Sequence, residues 1–110
     1  TDYPPNKIIT FIKQLNSKFG INYDTGNSAS LGYSFEEEKK YFRFVKNIHI
    51  KDRLFRGRTV RLGKGDYDFK KFFSYLRKIK YNKNLILQTA RAKDNINEIL
   101  INKKFIENFI

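Results

Sequence analysis

The chain has 110 residues and a mass of 13.2 kDa, with 23 Lys+Arg against 11 Asp+Glu, a net charge of +12 and an isoelectric point near 10.0. That length allows one domain at most, and the absence of cysteine excludes disulfides, thiolate metal sites and a cysteine nucleophile. No apolar run reaches the ~18–20 residues needed to span a membrane and no secretory signal opens the chain, so a soluble, cytoplasmic protein is expected.

Hydrophobic residues make up 40% and aromatic residues 16% of the chain, enough for a packed core. Lysine, asparagine and isoleucine number 16, 11 and 13. All three have A/T-rich codons, which lowers the weight of the basic charge as a sign of nucleic-acid binding.

Residues 4–19 read as a first helix. Pro4 and Pro5 suit its start, Ile8, Ile9, Ile12, Leu15 and Phe19 form an apolar stripe, and Gly20 suits its end. A short strand, 21–24, runs into a polar turn, Thr25-Gly26-Asn27-Ser28. Ser34 suits the cap of a second helix whose first turn holds Glu36, Glu37 and Glu38, where the helix dipole favours anions. The clearest strand is 44–52. Val45, Asn47, His49 and Lys51 share one face of it, and Ile48 and Ile50 the other.

A basic loop from Arg53 to Arg61, hinged at Gly57, leads to a glycine-punctuated turn, Leu62 to Asp66. Asp68 suits the cap of a third helix, 69–80, with Phe69, Phe72, Phe73, Leu76 and Ile79 at helical spacing. This spacing marks a core face rather than a stacking platform. Residues 85–90 form an apolar run typical of a parallel strand covered on both faces. Residues 94–110 give a last helix with Ile96, Ile99, Leu100, Phe105, Ile106, Phe109 and Ile110 apolar.

The order α-β-α-β-α-β-α predicts an α/β fold with right-handed crossovers and parallel strands. Three parallel strands cannot close a barrel and leave two unpaired edges. The pattern resembles the last three-eighths of a (β/α)8 TIM barrel, about strands 6–8 with their helices, so residues 1–110 are expected to be the C-terminal portion of a barrel domain within a longer chain. Self-association, or docking onto the remaining barrel, is expected of the piece alone.

Working residues of such barrels lie at the C-terminal ends of strands. The three ends offer Asp24, Thr25 and Asn27; His49, Lys51, Asp52 and Arg53; and Gln88, Thr89 and Arg91. An Asp, a His and an amide or carboxylate around one mouth suit Mn²⁺, Mg²⁺, Co²⁺ or Zn²⁺. Taken alone, a single histidine on a strand is more often a hydrogen-bonded core residue than a ligand.

Four stretches in order resemble one family: 22–27 (NYDTGN), 47–52 (NIHIKD), 62–69 (LGKGDYDF) and 86–91 (ILQTAR). The chain resembles the C-terminal part of the xylose-isomerase-like TIM barrels, the sugar-phosphate isomerase and epimerase superfamily. The resemblance covers nearly the whole chain. Each motif alone is weak, and their order and spacing make the match specific.

The resemblance implies a divalent metal held by a Glu on strand five, an Asp on strand six, a His on strand seven and a Glu on strand eight. Asp24 and His49 match the strand-six and strand-seven ligands. Gln88 stands where the strand-eight Glu is usual. The strand-five Glu has no counterpart in this sequence and is expected upstream of Thr1, a residue or two before it in a longer chain. In epimerase members the two glutamates exchange the proton beside the carbonyl, through an enediolate that the metal stabilises. A glutamine can ligate through its oxygen but cannot accept that proton, so two-base epimerisation is not expected of Gln88. No catalytic base is assigned within the chain. Asn27, Lys51, Arg53 and Arg91 are expected at the substrate, the cations suiting a phosphate. The alternative for these cations is a solvated loop, and for Asp52 a structural bond to Arg53 or a neighbouring loop.

The implied function is therefore a metal-dependent isomerase or epimerase of a sugar or sugar phosphate. A second reading is a non-catalytic remnant or binding fragment. A third is an apurinic endonuclease of the same superfamily, which would need three zinc ions. Arg56-Gly57-Arg58-Thr59-Val60-Arg61 lacks the Asp and His such enzymes carry there, and Asn27 stands where they have a second His, so nucleic acid is not the expected partner.

Overall fold

A computed structural model describes residues 2–110. Thr1 lies outside the described residues. The centre of the fold is a three-stranded parallel sheet in the order β1 (Ile21–Asp24), β2 (Val45–Ile50) and β5 (Asn84–Leu87). Between the second and third of these lies a hairpin of two two-residue strands, β3 (Asp52–Arg53) and β4 (Thr59–Val60). The helices are α1 (Pro5–Ile12), α2 (Thr25–Leu31), α3 (Phe35–Glu38), α4 (Phe69–Lys78) and α5 (Asn95–Glu107), and α3 continues as a 3₁₀ turn over Lys39–Phe44. No helix among the described residues is long and apolar enough to cross a membrane.

Both prolines start α1 as the sequence suggests: Pro5 is its first residue, and the Pro4 carbonyl accepts from Lys7 and Ile8 N–H. The helix ends at Ile12, earlier than Gly20. Residues 13–19 are turns instead, held where the Lys46 ammonium donates to the Ser17 and Lys18 carbonyls at 2.6 and 2.9 Å. The stem of Lys46 lies across Gly20, where a Cβ would strike it.

The stretch 25–28 is helix, not turn. Asp24 accepts the Asn27 N–H at 2.9 Å and so caps α2, which closes at Gly32 in the left-handed region (φ 69°). Ser34 precedes α3 but makes no side-chain cap bond, and Glu38 is buried rather than set out at a dipole end. The basic loop folds back as the β3–β4 hairpin.

Ile48 and Ile50 turn to the helices and are buried, as alternation predicts. With Tyr23, Phe42 and Phe72 they form the core under α4. Val45, expected on the face of Asn47 and His49, is instead fully buried in the same cluster, where the β1–β2 register shifts between Ile21 and Asn22. Tyr23 stacks on Phe72 at 5.7 Å between ring centres, and Phe72 meets Phe35 and Tyr67 edge-on. Such pairs add ~0.5–1.5 kcal/mol beyond the area they bury. Phe69 and Phe73 of α4 pack on Phe105 and Phe109, which docks α5.

Two apolar runs are more exposed than their sequences suggest. β5 is an edge strand, and Leu85 and Ile86 remain 39% and 40% exposed. On α5, Ile96, Ile99 and Leu100 face outward, while the buried stripe is Glu98, Asn102 and Ile106 at i, i+4 spacing. The polar pair is turned inward because Asn102 accepts the Leu62 N–H at 2.8 Å and donates to Glu98, which binds Arg61 through two nitrogens at 2.9 and 2.7 Å. These bonds hold the turn after β4 against α5.

Candidate functional site

The sheet face opposite Ile48 and Ile50 is polar. Asn22, Asn47 and Asn84 are partners in one row across the three strands, and Asn84 donates to Asn47 at 3.1 Å. The next row is Asp24, His49 and Ile86. One pleat further towards the strand C-termini come Lys51 and Gln88, on the same face by alternation. Asp24 and His49 are therefore brought together by register, twenty-five positions apart in the chain.

The geometry is tight on β1 and β2. His49 Nδ1 lies 3.9 Å from Asp24 Oδ2. Lys51 Nζ lies 3.0 Å from the same oxygen, with its side chain only 15% exposed. The other oxygen, Oδ1, caps α2. Thr25 locks this corner: its hydroxyl accepts the Lys51 N–H at 2.9 Å and donates to the Lys51 carbonyl. The third strand contributes less. Gln88 lies one residue beyond β5, its N–H bonded to the Ile50 carbonyl at 2.9 Å and its side chain exposed. Arg91 is exposed as well. The strand-five Glu that the resemblance implies has no counterpart among the described residues of the site.

Two expected substrate residues are engaged inside the chain. Arg53 donates to the Gly57 carbonyl through Nε and Nη2 and to Asn27 Oδ1 through Nη1, the last at 3.1 Å. Asn27 in turn donates to Asp2 at 2.8 Å. Together they tie α2 to the hairpin and to Asp2.

Asp52 takes the structural role. It is fully buried and accepts the N–H groups of Gly63, Gly65 and Tyr67 at 3.0, 2.9 and 3.3 Å. Burial pushes its carboxyl up, and the backbone donors partly offset this. A Cβ at Gly65 would fall on the Asp52 carboxylate, so this close approach needs glycine.

Sequence reasoning missed a second buried cluster. Glu38 accepts from Tyr23 Oη at 2.7 Å and Ser28 Oγ at 2.8 Å, and Tyr23 and Tyr67 share a bond of 2.9 Å. Burial raises the Glu38 carboxyl, and it raises the phenols of Tyr23, Tyr67 and the neighbouring Tyr41. The signal was spacing: Glu38 sits on the side of its short helix that faces β1, unlike Glu36 and Glu37.

The donor types at the mouth can be tested against a divalent ion. A carboxylate and an imidazole on adjacent strands are suitable donors, and they approach each other as two ligands of one ion would. No group of three or more His, Cys, Asp or Glu side chains gathers among the described residues. Asp24 and His49 thus fit as two members of a ligand set whose further acidic members the described residues do not supply.

Parallel strands joined by helices, with a polar sheet face that carries Asp24 and His49, are the arrangement of part of a (β/α)8 barrel. The chain belongs to the xylose isomerase-like TIM barrel family, whose model matches residues 3–108. Among solved structures it is similar to a xylose isomerase domain protein from Planctomyces limnophilus, with 25% identity and a TM-score of 0.81 over 97% of this chain and 42% of that one. It is also similar in fold to a D-tagatose 3-epimerase-like protein, with 14% identity and a TM-score of 0.77 over 96% of this chain and 40% of that one. The chain thus spans about two-fifths of the length of these barrels. Comparison with curated protein sequences gives no match.

Proposed function

We propose that this chain is the C-terminal part of a metal-dependent isomerase or epimerase acting on a sugar or sugar phosphate. The observation that carries the reading is the Asp24–His49 pair, set in register across β1 and β2 at the barrel mouth. Asp24 and His49 would hold a divalent ion (Mn²⁺, Mg²⁺, Co²⁺ or Zn²⁺), with the Gln88 amide oxygen as a donor from the third strand. When bound, the ion supplies Lewis-acid polarisation of the substrate's carbonyl and hydroxyl oxygens.

The chain's own residues orient the ligand and hold charge. Asp24 is fixed by its cap bond to Asn27 N–H, and His49 by the strand. Arg91, exposed beyond β5, would be the cation that meets a substrate phosphate. Gln88 is no proton acceptor, so the carboxylate that moves the proton would have to come from another part of the barrel. One-base isomerisation fits these residues better than two-base epimerisation.

The test is turnover of pentoses, hexoses and their phosphates by the full chain with each of the four metals. Isomerisation that needs the metal and is lost in Asp24→Asn supports the reading. No turnover of any of these substrates overturns the catalytic part. Metal binding without turnover would favour the second reading, a binding fragment, for which the incomplete set of acidic ligands is the specific observation.

A further inference from the structure

Lys51 was expected to face the substrate, yet its ammonium lies 3.0 Å from Asp24 Oδ2, the oxygen that also faces His49. Three features build this placement. The Asp24 and Lys51 side chains are both largely buried, so the contact is shielded from solvent. The lysine stem passes over Gly26, where an added Cβ would come within 2.8 Å of Lys51 Cε and 3.0 Å of Cγ. Thr25 clamps the Lys51 backbone at both its N–H and its carbonyl. A long, flexible side chain is thereby laid along one route to one carboxylate.

We propose that Lys51 is the resident counter-ion of Asp24 and competes with a divalent cation for the same carboxylate oxygen, so that binding the cation and releasing the lysine are a single event. The inference rests on the metal reading above. Two cations cannot share one carboxylate oxygen at contact distance without strong mutual repulsion in a poorly solvated corner. The released ammonium stays tethered two residues beyond His49, at the mouth, where it can meet an anionic substrate only once the cation is in place. Lys51 is thus a positioning residue that couples cation occupancy to ligand recognition. Without the ion it keeps the buried Asp24 charge paired.

The experiment is Mn²⁺ affinity by calorimetry on the full chain, for the wild type, Lys51→Met and Gly26→Ala. The methionine keeps the apolar stem and removes the charge. The alanine keeps the charge and crowds the stem off its route, so it also serves if the methionine variant does not fold. Both are expected to bind Mn²⁺ about tenfold or more tightly than the wild type, the scale on which groups around a metal ligand change affinity. Equal or weaker binding in the variants overturns the competition and leaves the metal reading standing. No Mn²⁺ binding by any of the three proteins overturns both.

Discussion

Asp24 and His49 face each other across β1 and β2, with the imidazole Nδ1 3.9 Å from the carboxylate Oδ2. Neither residue's neighbours in sequence bring this about. Parallel pairing in one register does, and it places both on the face turned away from the helices.

If this pair holds the cation, each half is needed. Asp24→Asn and His49→Ala are each expected to lower metal occupancy of the purified protein at least tenfold, since a lost ligand costs no less than a lost supporting group. Elemental analysis after dialysis reads this directly. Unchanged metal content in both variants would remove the assignment.

Asp52 anchors the turn beneath the mouth. Asp52→Ala strands three backbone donors, those of Gly63, Gly65 and Tyr67, in a buried corner. A loss of roughly 3 kcal/mol is expected from buried donors left unmade. Asp52→Asn keeps one oxygen acceptor and should cost less. Chemical denaturation of the two variants tests the order, and equal stability to wild type would refute the role.

Glu38 gives the chain a pH dependence with a definite sign. Burial raises its carboxyl, so the folded state holds that proton more tightly than the unfolded state. The group therefore adds stability as pH falls from its raised folded value towards its ordinary one. Glu38→Gln removes this titration while keeping an oxygen for Tyr23 and Ser28. The melting temperature of wild type relative to Glu38→Gln should rise as pH is lowered from neutral towards about 4, the ordinary carboxylate range. A constant difference across that range would show that Glu38 is not the titrating group.

Among the described residues, the outer strands β1 and β5 of the sheet have unpaired edges, and Phe11 and Phe19 lie exposed beside β1 at 55% and 56%. Unpaired edges beside apolar surface favour association. Sedimentation of the 110-residue chain alone should show concentration-dependent association, reduced by Phe11→Lys with Phe19→Lys. A monodisperse monomer at all concentrations would count against it.

Much of the fold is written locally. The α4 face, Phe69, Phe72, Phe73 and Leu76, is legible because one period sets both the helix and its buried side. The strand at 45–50 is legible for the same reason with period two. α2 was hidden because Thr-Gly-Asn-Ser has weak helix propensity. It forms because Asp24 caps it, at the end of a strand fixed by pairing.

The sequence by itself determined the alternation of helix and strand and the core faces of β2 and α4, because these follow from side-chain period. The tertiary structure decided which polar groups are spent on the fold. Lys51 turns onto Asp24, Arg53 onto Asn27, Asp52 onto three backbone amides, and Glu98 and Asn102 onto the buried side of α5. Each of these choices joins residues distant in the chain or sets a side chain against its expected face. The physical reason is common to all: a buried donor, acceptor or charge must find a partner, and only the assembled sheet and loops bring that partner within reach.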